Sequence, residues 1–472
     1  MLFHTIEYFV LLSASVVLYF LLPHRARWII LLFASYWFYG TWRIEYLGLL
    51  LISTAIDYSC GLALGHVADN IRRRLILGLS LSVNLSILGY FKYRLLFGEA
   101  LGALAPSTDI HNWMSADFIL PIGISFYTLQ TMGYTIDVFR RTRLPERHPG
   151  YFALYVAFFP QLIAGPIERS TRLLPQLRTL HSFQPVALRE GCQLLLLGLF
   201  KKVVVVGFLG SYLVTVYSNP ENASSVMMLL AVYLSGVYIY LDFSAYIDMA
   251  RGSARIFGIR LSKNFNHPLG AITVRDYWKR WHISLTSWIF DYLHQPLSRL
   301  SKRVVMQLLF ILFTFTIVGL WHGPAWNFVL FGLYNGCLVL VEIQTERMGL
   351  SWAPGRLWNI FRIARTQFLL CFGAILFMSP DLMTAGLVIH NLTHWTGTPE
   401  EFINSDELTP LWLTAIAVMF LSYLHRLEAG NEFARKFDQL PAVVRWTAYY
   451  AAMLLLIINS DQGAEAFVYY QF

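Results

Sequence analysis

RDYWKRWHISLTSWIFDYLH, Arg275 to His294, and VGLWHGPAWN, Val318 to Asn327, decide how the rest of the chain is read. Between them runs an apolar stretch from about Val304 to Leu320, close to the length that crosses a bilayer. Wound as a helix, the first segment places Trp278, Trp281, Leu285, Trp288, Ile289 and Tyr292 in one stripe. Asp276, Arg280, Ser284, Ser287 and Asp291 fall opposite. His282 lies at the edge of the apolar stripe, and His322 ends an almost uncharged run just before Gly323 and Pro324. A titratable imidazole is costly in apolar surroundings, which makes each histidine a functional candidate. The competing reading is a core histidine satisfied by a backbone carbonyl, and the residues alone leave both open.

Composition agrees with a membrane setting. Of 472 residues, 56% are hydrophobic and only 14% charged, against about 25% charged in soluble domains. Many apolar runs approach bilayer length, so the chain reads as an all-α, polytopic membrane protein. The first residues, MLFHTIEYFVLLSASVVLYFLLP, have no basic leader and no small-residue cleavage site, and read as a retained first span. The net charge of +8 sits in short loops between spans, as the positive-inside rule expects for a protein in membrane lipid, and does not imply nucleic acid. Cys60, Cys192, Cys337 and Cys371 are far apart and unpaired in sequence, so no metal or redox site is expected.

Spanning candidates fall at 4–22, 28–40, 44–66, 75–97, 116–138, 150–165, 190–218, 225–250, 304–320, 325–342, 367–390, 408–425 and 441–459. No linker separates them, and residues 1–472 read as a single membrane domain. Basic loops mark the inner face: Arg25 and Arg27, Arg72 to Arg74, the stretch from Arg140 to Lys202, and residues 251–303. Acidic loops without bases mark the outer face: 98–117, 391–409 and the tail at 460–472. Both termini are then expected outside. This alternation puts His282 in an inner, interfacial stretch and His322 one apolar segment away, about 25 Å if the segment is a straight helix. The expectation is a polar path with one histidine toward each mouth.

Two further stretches draw notice. FFPQLIAGPIERSTRLLPQL, Phe158 to Leu177, contains three prolines and a Gly165-Pro166 break, so it is no plain spanning helix and reads as an amphipathic surface helix with a turn. YLDFSAYIDMARGSARIFG, from Tyr240, carries Asp242 and Asp248 within an apolar run. Arg251 and Arg255 are spaced to pair with Asp248. His390 and His394 in HNLTH lack a carboxylate to complete a metal site.

These segments, together with NFNHP at Asn264 to Pro268, resemble the membrane-bound O-acyltransferase (MBOAT) superfamily over nearly the whole chain. The likeness extends to the bacterial alginate O-acetylation membrane proteins and related exopolysaccharide acetylation subunits. The chain departs from the family's pattern at Ala245 and Ile247, and at YLHQPLSRL, where the family often has glycines. The resemblance implies about eleven to thirteen spanning or re-entrant helices around a central tunnel. It makes His322 the catalytic histidine and His282 the second functional one. Lys279, Arg280, Trp281, Trp321 and Asn327 are candidates for donor binding or support of the histidines. No bound cofactor is expected; the donor is an acyl thioester such as acetyl-CoA. The implied partners are a periplasmic subunit of SGNH-hydrolase type and a secreted polysaccharide as final acceptor, with the protein in a bacterial inner membrane. The tail FVYYQF resembles an FxYxxF motif, which would make Tyr469 a transient acyl carrier; its plainer reading is an interfacial aromatic belt. Two alternatives stay beside this reading: D-alanyl transfer to teichoic acid, and a polysaccharide transporter or channel, which would be expected to show repeat halves.

Overall fold

Backbone polar groups inside a bilayer have to be satisfied within the chain, and helices do this segment by segment. The computed structural model describes residues 1–94, 96–98, 120–349, 355–396 and 437–459, and every regular element among them is helical. In chain order they are α1 (Ile6–Leu21), α2 (His24–Gly40), α3 (Ile44–His66), α4 (Asn70–Lys92), α5 (Ile124–Phe139), α6 (Pro149–Ala157), α7 (Ser170–Arg178) and α8 (Pro185–Leu199). A π-helical turn at Phe200–Val206 leads into α9 (Gly207–Ser218) and the long α10 (Ser225–Ile256). Then follow α11 (Val274–Arg280), α12 (Ile283–Ile289), α13 (Gln295–Leu300), α14 (Val304–His322), α15 (Trp326–Arg347), α16 (Arg356–Met378), α17 (Leu382–Thr393) and α18 (Ala442–Ile458).

Among the described residues seven helical stretches are long and apolar enough to cross a membrane, and α1, α17 and α18 are shorter apolar helices. The protein is therefore an all-helical, multi-pass membrane protein. The candidate span at 408–425 and most of the loop at 98–117 lie outside the described residues. The candidate at 367–390 is two helices: Ser379 and Pro380 end α16, and the Asp381 side chain caps α17 by accepting from the Thr384 N–H at 2.7 Å.

Two compact units emerge. One comprises Met1–Gly198 with Tyr246–Lys263, the other Leu199–Ala245 with Asn264–Phe472, so α10 contributes to both. In the first unit Tyr8 and Ser253 share a hydroxyl hydrogen bond of 2.6 Å, and Phe3 stacks on Tyr246 at 4.5 Å. Residues 158–168 are buried and non-helical, which corrects the surface-helix expectation; only Ser170–Arg178 is helical. The prolines and Gly165 prevent a helix, yet the side chains are too apolar to leave the interior. The backbone is satisfied by tight turns, such as Gly165 N–H to Gln161 O at 2.8 Å, and by Ser35 Oγ accepting from Phe159 N–H at 3.1 Å.

Asp242 and Asp248 are both paired, with partial differences from the expected partners. Asp248 meets Arg251 at 3.5 Å, but Arg255 turns to Glu190 at 2.7 Å. In the second unit Asp242 pairs with Lys202 at 2.8 Å, both nearly inaccessible. Lys202 lies forty positions away on the π-helical turn, so no local spacing rule reveals it.

Candidate functional site

The site lies in the second unit and is built on the hairpin of α14 and α15. Two glycines let these helices touch. A Cβ on Gly319 would land on the Phe328 carbonyl oxygen, and one on Gly332 on that of Phe315. Asn327, at the start of α15, donates to the Ser379 and Leu376 carbonyls at 2.8 and 3.1 Å, tying the hairpin to the end of α16. This gives the predicted supporting residue a structural hydrogen-bonding role. His322 is thereby fixed at the last turn of α14, 2% exposed.

The Arg275–His294 segment is not one helix. It breaks at His282, which takes the left-handed conformation (φ 43°, ψ 51°) between α11 and α12. Five of the six stripe residues, Trp278, Trp281, Leu285, Trp288 and Ile289, are buried. Tyr292 is only half-buried, and Ser284, expected on the opposite face, is buried as well because the break at His282 ends the single helical register. At the start of α11, Glu342 of α15 accepts from the backbone N–H groups of Val274 and Arg275 at 3.0 and 2.9 Å. At the break, Ile283 and Ser284 donate their N–H groups to Asn264 O and Oδ1, both at 2.9 Å, and Asn266 N–H donates to Arg280 O at 2.9 Å.

The consequence is convergence. The His282 ring packs edge-on against Trp321 at 5.2 Å and against Phe243 at 4.7 Å. The His322 ring packs on the same Trp321 at 5.1 Å, and on Phe377 at 5.2 Å. The two imidazoles therefore flank one indole, and the expected separation of about 25 Å along a straight helix is corrected. A straight amphipathic helix would have carried His282 away; the left-handed residue turns it back. His282 is fully buried, and burial pushes its pKa down to about 3, so its ring is neutral at physiological pH.

Beside this cluster lies a cavity of about 680 Å³, walled by α10, α15 and α16 and by His322, Trp278 and Trp281. Its lining holds no Asp, Glu, Lys or Arg among the described residues. Polar groups come from His322, Asn335, Gln367, Cys371 and the heteroatoms of aromatic rings. Asn335, Gln367 and Tyr277 were missed in the sequence. Asn335 left a signal, an amide inside the apolar run at 325–342; it is 1% exposed and donates to Phe331 O at 2.8 Å. Lys279 is exposed and does not line the cavity; Arg280 is paired with Asp276 at 2.8 Å. Tyr469 lies outside the described residues. Chemically, an imidazole on the wall of a mostly apolar, uncharged chamber is suited to proton transfer at a reacting hydroxyl.

Comparisons with known proteins agree with that chemistry. The family model for MBOAT, the membrane-bound O-acyltransferase family, matches residues 147–379, which contain both histidines. The chain is 33% identical to the "Probable alginate O-acetylase AlgI" of Azotobacter vinelandii over 423 residues, 88% of this chain and 82% of that protein. It is 33% identical to a peptidoglycan O-acetyltransferase of Helicobacter pylori, covering 69% and 67% of the two chains. A teichoic acid D-alanyltransferase of Bacillus subtilis is 27% identical, over 58% of this chain and 71% of its own. With two histidines gathered at one indole and this similarity over most of its length, the chain belongs to the membrane-bound O-acyltransferase family and is an acyltransferase.

Proposed function

We propose that the protein O-acetylates a secreted polysaccharide, taking the acetyl group from acetyl-CoA on the cytoplasmic side of a bacterial inner membrane. The observation that carries the reading is His322 on the wall of an uncharged cavity, with neutral His282 against the same indole. His322 takes the proton of the acceptor hydroxyl as its oxygen attacks the thioester carbonyl carbon. The tetrahedral intermediate collapses by breaking the carbon–sulfur bond, and the thiolate leaves with the proton that His322 returns. His282, neutral and held by packing, orients the reacting groups. The uncharged lining suits the acetyl end of the donor and leaves its phosphates for the basic inner loops.

Loop charges support an orientation with both termini outside, which places the tail beyond the outer face. In this reading Tyr469 receives the acetyl group and hands it to a periplasmic subunit of SGNH-hydrolase type. Its phenol leaves more readily than an alkoxide because its pKa is near 10. Tyr469→Phe removes only the hydroxyl and is expected to abolish polymer acetylation in cells; normal acetylation would assign the tail to the membrane interface.

The deciding experiment uses purified full-length protein in micelles with acetyl-CoA, and free CoA is measured chromatographically. Release that depends on His322 supports the proposal. Absence of release with acetyl-CoA, but turnover of a carrier-protein D-alanyl thioester, would move the protein to D-alanyl transfer. Consumption of neither thioester, with polymer moved across vesicles, would make it a transporter.

A further inference from the structure

We propose that Asn264 is the positioning residue for His282, acting as an external cap on α12; this rests on the reading of His282 as part of the acyl-transfer site. A left-handed residue other than glycine is strained, and it persists only where its surroundings hold it. His282 is such a residue, fully buried. It also occupies the N-cap position of α12, where a side chain usually accepts from the first free N–H groups. His282 makes no such capping bond, and its ring is turned instead onto Trp321 and Phe243.

Asn264 supplies what the cap residue does not. Its carbonyl accepts from Ile283 N–H and its Oδ1 from Ser284 N–H, both at 2.9 Å, and the residue is 1% exposed. Two positions on, Asn266 N–H holds the Arg280 carbonyl, so the strand of chain from 264 to 266 brackets the break from both sides. Phe265 between them packs on Trp281 at 5.0 Å and on Phe243 at 5.2 Å. Relief of the turn toward helical dihedrals would swing the His282 Cβ and carry the imidazole off the indole. Asn264 thus frees the imidazole from capping and fixes its direction, without itself lining the cavity.

The test is a mutant cycle on the full-length protein in micelles, with kcat and donor KM measured separately and folding checked by chromatographic profile and melting temperature. Asn264→Leu keeps volume and loses the acceptor; kcat is expected to fall 10- to 100-fold with KM within about three-fold, as for residues that orient another group. Asn264→Asp keeps Oδ1 and should recover most of the rate. The Asn264→Leu/His282→Ala double variant should be no slower than His282→Ala alone. If Asn264→Leu does not fold, Asn264→Ser, too short to reach Ser284, takes its place in the same cycle. Losses that multiply, a folded Asn264→Leu protein at wild-type rate, or an Asn264→Asp protein as slow as Asn264→Leu, overturn the inference. His282→Ala at wild-type rate instead removes the underlying reading of His282.

Discussion

His322→Gln is the sharpest perturbation of the proposed chemistry. Glutamine nearly preserves size and polarity, so the packing against Trp321 and Phe377 is largely retained while the base is lost. General-base catalysis is worth about 10² to 10⁴ in rate. The cavity decides where in that range the loss falls. Its lining has no carboxylate or amine among the described residues, and its amides, Asn335 and Gln367, are not bases at neutral pH. With no nearby substitute, kcat should drop about 10⁴-fold, equivalent to about 5 kcal/mol in the barrier. The assay is release of free CoA from acetyl-CoA by monodisperse protein, with cellular polymer acetylation measured in parallel. In His322→Gly, added imidazole should restore part of the rate, because the chamber of about 680 Å³ has room for it. A folded His322→Gln protein turning over within ten-fold of wild type would refute His322 as the base.

Lys202→Met strands Asp242 in an interior where both partners are nearly inaccessible; stability should fall by about 3–5 kcal/mol, and Lys202→Met/Asp242→Asn should recover most of it in micelle melting curves. Gly332→Val places atoms on the Phe315 carbonyl oxygen and should prevent the α14–α15 hairpin from closing, read as loss of the monodisperse peak, whereas Gly386→Ala, with open space around its Cβ, should leave it unchanged. His282 has a folded-state pKa of about 3, below the roughly 6.5 of an unfolded histidine, so the unfolded chain binds the extra proton between those values. Its contribution to stability is complete above about pH 6.5 and is lost as pH falls toward 3; wild type should lose up to about 1.4 kcal/mol per pH unit relative to His282→Gln in that window, and parallel pH profiles would contradict it.

Much of the architecture was legible because bilayer burial leaves a coarse mark. Uncharged runs of bilayer length locate α14 and α15 to within a few residues, and the apolar residues from Trp278 to Ile289 are buried as expected, although Tyr292 is only half-buried and Ser284 of the opposite face is buried too. Legibility fails where backbone chemistry and apolar content disagree. Residues 158–168 contain helix breakers and so look like surface, yet their side chains keep them inside, with satisfaction supplied by tight turns and by Ser35, far away in sequence. It fails again for pairings across helices: Arg255 is spaced for Asp248 but turns to Glu190, and Lys202 reaches Asp242 from another element. Spacing rules see neighbours on one helix and nothing beyond it.

The two histidines show why marking candidate residues in a sequence is easier than placing them. Composition marks both, since an imidazole in apolar surroundings is costly wherever it points. Their distance depends on a single backbone decision. If residues 275–294 continue as one helix, each residue advances 1.5 Å along one axis and His282 stays at the interface. One left-handed residue cancels that progression, and the price is strain that only tertiary hydrogen bonds can hold. Those bonds come from Asn264 and Asn266, short of the helix by several residues and unmarked by any periodicity. Hydrophobic pattern therefore marks the large apolar side chains that are buried on either side of the break, but not the break itself nor the burial of Ser284 beyond it. Convergence on Trp321 follows from a residue whose own chemistry is unremarkable, a buried asparagine outside any helix that caps α12.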